Sequence, residues 1–259
     1  MATDDTEENS SGASAINYDE SLAVTREIYW VGFREAGGRL RCNPYLLIDG
    51  RGDDVILFDP GSIPDFPKIM RKVIDLIPPQ SITGIVVSHQ DPDVCGNLAV
   101  IEDIVENPDL KIYAHLNTIR LIAHLGLAGS LLDVAEIDYR LTLSSGRVLE
   151  FIPMLYLHSP GAIATYDSQS KSLFSGDVFG AIGSDNDLFS KTNFPQNMDS
   201  FHQAYMPSNK VLRPAMEKLS GMQIDRILPQ HGAVLEGDDV AVAIEHLRTL
   251  PCGVDLAEG

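Results

Sequence analysis

Six residues of this 259-residue chain could bind metal ions by type and setting: His89, Asp91, Asp93, His158, Asp177 and His231. Three of them alternate in Ser88-His89-Gln90-Asp91-Pro92-Asp93. In an extended or tightly turning backbone, that spacing aims alternate side chains the same way. The preceding run Gly84-Ile85-Val86-Val87 is apolar and β-branched, which predicts a buried strand. Asp-Pro is expected to block helix at that point, and Gly96 to let the chain turn. Taken alone, the segment also fits a surface turn that holds one His and two Asp. Three later segments repeat its design. Leu155-Tyr156-Leu157 runs into His158, Leu173-Phe174-Ser175-Gly176 into Asp177, and Ile227-Leu228-Pro229-Gln230 into His231. Each predicts a strand ending in a metal-capable residue beside a Gly or Pro. Ligands at strand ends are held rigidly by the sheet.

The elements that must position these residues are legible in the hydrophobic pattern. Strands are expected at 28–33, 44–48, 55–58, 84–87, 111–114, 148–157, 162–166, 172–175 and 226–229. The second and third pair as a hairpin across Asp49-Gly50-Arg51-Gly52, and the seventh and eighth around 167–170. Helices are expected over 67–77, 98–106, 117–125, 200–219 and 238–250. Asn97 caps the second and Asp238 the last, while Pro207 and Pro214 break the fourth. Residues 176–197 read as a loop in which Asp185 and Asp187 are simply solvated. Strands interleaved with helices, in two successive halves, predict a layered α/β (α+β) fold. Residues 1–17 are acidic and Ser-rich and are expected to form a disordered tail ahead of a single domain at 18–259.

Composition narrows the partners. With 44% hydrophobic residues, the chain can bury a large core;. Nineteen basic against 37 acidic residues leave a net charge of -18, which argues against nucleic acid or an anionic membrane as partner;. The three cysteines, Cys42, Cys95 and Cys252, form no CxxC pair and imply a reducing compartment. No apolar run is long enough to span a bilayer, and the N-terminus has no signal-peptide pattern. A cytoplasmic protein is the expectation.

The set of motifs resembles the metallo-β-lactamase fold, in the branch of flavodiiron proteins and their oxygen-binding diiron relatives. The superfamily's zinc motif is HxHxDH, and the flavodiiron branch has HxExD. This chain reads His89-x-Asp91-x-Asp93, the acidic version with Asp for Glu. Leu157-His158-Ser159-Pro160-Gly161 looks like the branch's next His motif. Phe174-Ser175-Gly176-Asp177-Val178-Phe179-Gly180 is similar to its bridging-Asp motif, and Leu228-Pro229-Gln230-His231-Gly232 to its last His motif. Tyr29-Trp30-Val31-Gly32 also fits, so the likeness runs over 27–250. It implies an αββα four-layer sandwich holding two irons, although zinc or manganese would also suit the donors.

By that resemblance one metal takes His89, Asp91 and His158, the other takes Asp93 and His231, and Asp177 bridges them. Two divalent ions against three carboxylates leave one positive charge, which a bridging hydroxide would cancel. Val94 stands where HxHxDH has its last His, so the resemblance implies an open, apolar-walled position on the second metal. Asp59 either hydrogen-bonds a ligand imidazole or caps a turn. Tyr45 is expected to support the ligands, His202 and Tyr205 either line the site or pack in the core or on a helix surface, and Cys95 is a small buried thiol. His115, His124 and His246 lack any motif context. No counterpart of the branch's flavodoxin domain and no FMN are expected in this chain, so electrons for O2 or NO reduction would come from an external donor. A homodimer is implied by resemblance alone. The expected function is O2 binding as sensor, carrier or reductase component. The alternative is a binuclear hydrolase, which the acid at Asp91 and the missing His disfavour. A metal-free scaffold is disfavoured by the six intact positions.

Overall fold

The β-branched and aromatic runs of the first half pair into a seven-stranded sheet whose order follows the chain. The computed structural model describes residues 16–34, 40, 42–51, 53–182, 188–189 and 191–257, so Asp185, Asp187 and nearly all of the expected tail lie outside them. In the first sheet β1 (Leu22–Ala23), β2 (Ile28–Trp30), β3 (Tyr45–Ile48) and β4 (Val55–Phe58) run antiparallel. From β4 onward, β5 (Gly84–Val86), β6 (Lys111–Ala114) and β7 (Ser130–Asp133) are parallel. The crossovers are α1 (Phe66–Leu76), the single turn α2 (Pro92–Cys95), α3 (Leu98–Val105) and α4 (Leu116–Ile122).

The second half builds a six-stranded sheet from β8 (Arg140–Thr142), β9 (Val148–Pro153), β10 (Ile163–Asp167), β11 (Ser172–Gly176), β12 (Arg226–Pro229) and β13 (Leu235–Glu236). Helices α5 (Asp199–Tyr205) and α6 (Asn209–Ser220) cross over between the parallel pair β11 and β12, and α7 (Asp238–Thr249) follows β13.

Three apolar layers hold these elements together. One lies between the sheets, where Phe58 of β4 stacks on Phe174 of β11 with ring centroids 3.8 Å apart. A second joins the first sheet to Ile69 and Val73 of α1 and to Leu98 and Ile101 of α3. A third joins Leu173 and Ile227 to Leu212 and Met216 of α6 and to Ala243 and Leu247 of α7. Helix, sheet, sheet, helix is the αββα sandwich that the motifs imply.

Several local expectations change. The helix foreseen at 200–219 is two helices. The chain breaks at Pro207, while Pro214 sits inside α6 at the loss of one backbone hydrogen bond;. Gly237, not Asp238, takes the cap position of α7, and Asp238 lies in its first turn, where its charge favours the helix dipole;. Asn97 occupies the cap position of α3, but its amide donates to the Pro60 carbonyl at 2.7 Å instead of capping. Strands β1, β7, β8 and β13 went unforeseen, because two to four residues carry too little periodicity;. His115 caps α4, accepting from Asn117 N at 3.1 Å.

One buried amide joins the two sheets near the site. Asn43 Oδ1 accepts from Trp30 Nε1 at 3.0 Å, and its Nδ2 donates to the carbonyls of Pro229 and Gly232 at 3.1 and 2.9 Å. Its backbone N–H donates to Gln230 O at 2.8 Å. Tyr45 Oη adds a bond to Pro229 O at 3.2 Å. Asn43→Ala would orphan the Trp30 Nε1 donor and the Gly232 carbonyl in a dry setting and leave Pro229 O with Tyr45 alone, so it should cost about 2–4 kcal/mol;. Urea denaturation reads this directly. A change below about 0.5 kcal/mol, the size of an ordinary surface substitution, would show that the amide contributes nothing.

Candidate metal centre

The six motif residues converge where corresponding ends of both sheets meet. Strands β11 and β12 are parallel, with Gly176 level with Pro229, so Asp177 and His231 leave the second sheet side by side. Gly176 makes the approach to the first sheet feasible. Its φ is +59°, and a Cβ there would sit 3.1 Å from Ser88;. Opposite, β5 ends and its loop presents Ser88 and His89. Ile163 N donates to Ser88 O at 3.0 Å, which ties this loop to the start of β10.

His158 is a correction, because it does not end a strand. Strand β9 stops at Pro153, which has no N–H for the ladder, and His158 follows in a turn;. Bonds from Leu157 N to Met154 O (2.9 Å) and from Tyr156 N to Ser159 O (2.7 Å) close that turn. Ser159 Oγ donates to Gln90 Oε1, and Gln90 Nε2 donates to Asp91 Oδ1 at 3.1 Å. Gln90, which sequence reasoning passed over, thus links the two loops and orients Asp91.

Pro92 is a second correction. It starts α2 instead of preventing helix, as its fixed φ and missing N–H allow at a first helical position;. Asp91 precedes that turn in extended geometry, and Asp93 lies within it. The alternation therefore splits the trio. His89 and Asp91 face His158, whereas Asp93 faces His231.

The distances describe two half-sites sharing one carboxylate. Asp91 Oδ2 lies 3.6 Å from His89 Nε2 and 3.2 Å from His158 Nε2. Asp177 Oδ2 lies 3.5 and 3.0 Å from the same two nitrogens. Asp177 Oδ1 instead faces His231 Nε2 at 3.3 Å, and that nitrogen is 3.5 Å from Asp93 Oδ2. His89 Nε2, His158 Nε2 and Asp177 Oδ1 are buried and lack any hydrogen-bond partner of proper geometry. Buried polar atoms in that state are costly unless something else fills the space between them. The donor set of imidazoles and carboxylates fits a pair of divalent ions.

The electrostatics agree. Burial alone would lower His89, but Asp177 and Asp91 overcome it and raise the imidazole to about 9. Asp177 and then Asp91 raise His158 to about 10. Burial would raise Asp177, yet His89 and His231 hold it well below the usual carboxylate range. His158 and His89 likewise hold Asp91 well below that range. Each shift shows a pocket whose carboxylates demand positive charge.

The supporting residues fall differently from expectation. Asp59 does not reach an imidazole. Its Oδ1 accepts from Ser88 N at 2.7 Å, and Ser88 Oγ touches His89 Nδ1 at 3.0 Å, so Asp59 acts through Ser88. Burial raises Asp59 to about 6. Tyr45 packs between the sheets and braces Pro229, just ahead of His231. Val94 is fully buried in the apolar layer outside the first sheet. His202 does not present a nitrogen to the site either. Its Nδ1 lies 2.8 Å from Met198 O, and Nε2 accepts from Phe179 N at 3.0 Å, bracing the turn after Asp177. Tyr205, half-exposed, borders the site with its ring 5.8 Å from His158. Cys95 is buried beside the Asp91 carbonyl. Cys42, not foreseen as a site residue, lies with Sγ 3.4 Å from Asp93 Oδ2. Burial and then Asp93 push its thiol well above the ordinary range.

A family model described as "ODP family beta lactamase" matches residues 40–232. The chain belongs to that family. Among solved structures, a peroxy diiron species of the chemotaxis sensor ODP is similar at TM-score 0.75 and 28% identity, covering 92% of this chain and 98% of that one. The apo state of the chemotaxis sensor ODP from T. denticola gives TM-score 0.77 and 27% identity, covering 92% and 96%. Among curated proteins, the anaerobic nitric oxide reductase flavorubredoxin of Shigella dysenteriae is 27% identical over 248 residues, 88% of this chain and 51% of that protein. Putative diflavin flavoprotein A 2 of Synechocystis is 27% identical over 200 residues, 75% and 33%. The ODP-family chain thus spans about a third to a half of these two curated relatives.

His202 offers a pH test of the bracing. Burial lowers its pKa from 6.5 to about 4. The folded state favours the neutral ring, so this stability is intact above pH 6.5 and is lost as pH falls towards 4;. The loss should reach about 3 kcal/mol. In urea titrations the advantage of wild type over His202→Leu should shrink by that amount across the window. An advantage that stays constant with pH would rule out a neutral, buried His202.

Proposed function

We propose that this chain is a diiron protein that binds O2 as a receptor. His89, Asp91 and His158 hold one iron, Asp93 and His231 hold the other, and Asp177 spans both. One observation carries the reading: the two oxygens of a buried carboxylate face opposite sets of imidazoles, and the Nε2 atoms of His89 and His158 on one side are buried without a hydrogen-bond partner. An iron pair, once bound, supplies the electrons and open coordination positions that O2 needs.

The chain's own residues do the rest. Asp177 neutralises charge on both sides at once. Burial of His89, Asp177 and His231 keeps water from the floor of the site, while Asp91, Asp93 and His158 stay partly open to solvent. Phe201 stacks on Tyr205 at 4.8 Å and packs 5.4 Å from the His231 ring, forming an apolar side wall. Gln90 and Ser88 fix the orientations of Asp91 and His89;.

Iron, in preference to zinc or manganese, is supported by near-full-length similarity to a structure described as a diiron species. That same similarity, to a chemotaxis sensor, supports a receptor over a turnover enzyme. The hydrolase alternative is not favoured. An external electron donor, a homodimer, a cytoplasmic location and a single domain at 18–259 complete the proposal. Among the described residues no helix is long and apolar enough to cross a membrane.

The test is anaerobic loading with ferrous iron, metal analysis and rapid mixing with O2. About two irons per chain and a new visible absorption are expected. Asp177→Asn should keep at most about one iron and lose the absorption. Stoichiometric zinc with no iron-dependent spectrum, or a variant that keeps both irons and the spectrum, would refute the reading.

A further inference from the structure

The motif residues leave the two half-sites unequal. One has three donors of its own, His89, Asp91 and His158, and the other has two, Asp93 and His231. The structure puts one more potential donor beside the poorer half. Ligand atoms of Cys42, Asp93 and His231 all lie within 4.8 Å of one another, as do those of His89, Asp91 and His158.

We propose that Cys42 is the third terminal ligand of the second metal, bound through its sulfur beside Asp93 and His231. This rests on the diiron reading above. The geometry supports it in three ways. First, donors about 2.3 Å (sulfur) and 2.1 Å (oxygen) from one metal, at right angles, lie about 3.1 Å apart. The observed Sγ to Oδ2 separation is 3.4 Å. Secondly, Cys42 is held in place. It is 2% exposed, and its neighbour Asn43 is bonded to Gln230, Pro229 and Gly232 around His231. The strap that places Cys42 is the strap that places His231. Thirdly, the charge closes. Asp91, Asp93 and Asp177 supply three negative charges and a Cys42 thiolate a fourth, which balances two divalent ions with no added hydroxide.

Coordination forms an Sγ–metal bond and releases the thiol proton to solvent, with no change in oxidation state. A cation is what makes this favourable, since a bound metal deprotonates a coordinating thiol outright. Sulfur also changes the site's character. Thiolate is a softer donor than carboxylate or imidazole, so the two metals become electronically distinct. The position for which the sequence motif has Val94 is thereby filled from a remote part of the chain, 51 residues upstream of Asp93.

The competing account is a protonated thiol that merely hydrogen-bonds Asp93. Cobalt(II) separates the two, because thiolate ligation gives it an intense sulfur-to-metal absorption that a thiol does not. Full-length protein loaded with cobalt(II) under anaerobic conditions should show this absorption. Cys42→Ser should abolish it, and Cys95→Ser, the other thiol near the site, should leave it intact. Cys42→Ser should also weaken uptake of the second metal by at least about tenfold. Should the variant fold poorly, X-ray absorption on iron-loaded wild type decides independently, with a sulfur scatterer expected at about 2.3 Å. Two bound metals with no sulfur signal would overturn the Cys42 assignment and leave the diiron reading standing. Failure to bind any metal would overturn both.

Discussion

Three carboxylates cannot be drawn together in a half-dry pocket unless positive charge sits among them. This constraint organises the chain. Asp177 is 4% exposed and has imidazole nitrogens 3.0–3.5 Å away on both of its oxygens. Protons on those rings can supply the charge, which is why His89 and His158 are raised to about 9 and 10. Divalent metals supply it better, because they also satisfy the partnerless Nε2 atoms of His89 and His158. Assembly of the site is therefore coupled to whatever cation fills it.

The architecture serves this constraint by making sheet ends into a rigid frame. Each half of the chain contributes a parallel pair, β4 with β5 and β11 with β12, whose C-terminal ends face one another. Charged residues placed on loops alone would repel and separate. Here the loops are tied across the sandwich by Ile163 to Ser88, Ser159 to Gln90, and Asn43 to Pro229 and Gly232. At the far end of β10, Asp167 pairs with buried Arg147, which also reaches Glu27 of the first sheet's side at 2.8 Å. The sheets are thus fastened at both ends, and the metal end carries the unsatisfied charge.

What could be read from the sequence follows from the same physics. His89, Asp177 and His231 stood out because each ends an apolar run, and both the runs and the breaks after them are local. The αββα layering was implied by motif order. Cys42 and Asn43 could not be read, since they lie in a stretch without periodicity and meet residues far along the chain, Asp93 51 positions from Cys42 and Gly232 189 from Asn43. Gln90 was visible but looked like filler between ligands. Val94 shows that a motif position is not by itself a spatial position. The one-turn helix begun at Pro92 rotates residue 94 into the apolar layer while residue 93 stays with the site. For His202 the sequence leaves lining the site and packing in the core equally open, and the structure shows both its nitrogens engaged.

Charge also bears on what can enter. The floor of the site is closed, and its open edge is formed by Asp91, Asp93 and His158, so two of three rim residues are acidic. The chain as a whole carries a net charge of -18. Such a field repels anions over roughly a Debye length, about 8 Å at physiological ionic strength. Phosphate esters and carboxylate-bearing substrates approach against it, while an uncharged diatomic gas does not feel it. Bound metals neutralise the floor but leave the surrounding acidic surface in place. With the ligating carboxylates neutralised, it is the acidic balance of the whole chain that works against the anionic substrates a binuclear hydrolase would need and leaves a small neutral ligand unhindered;.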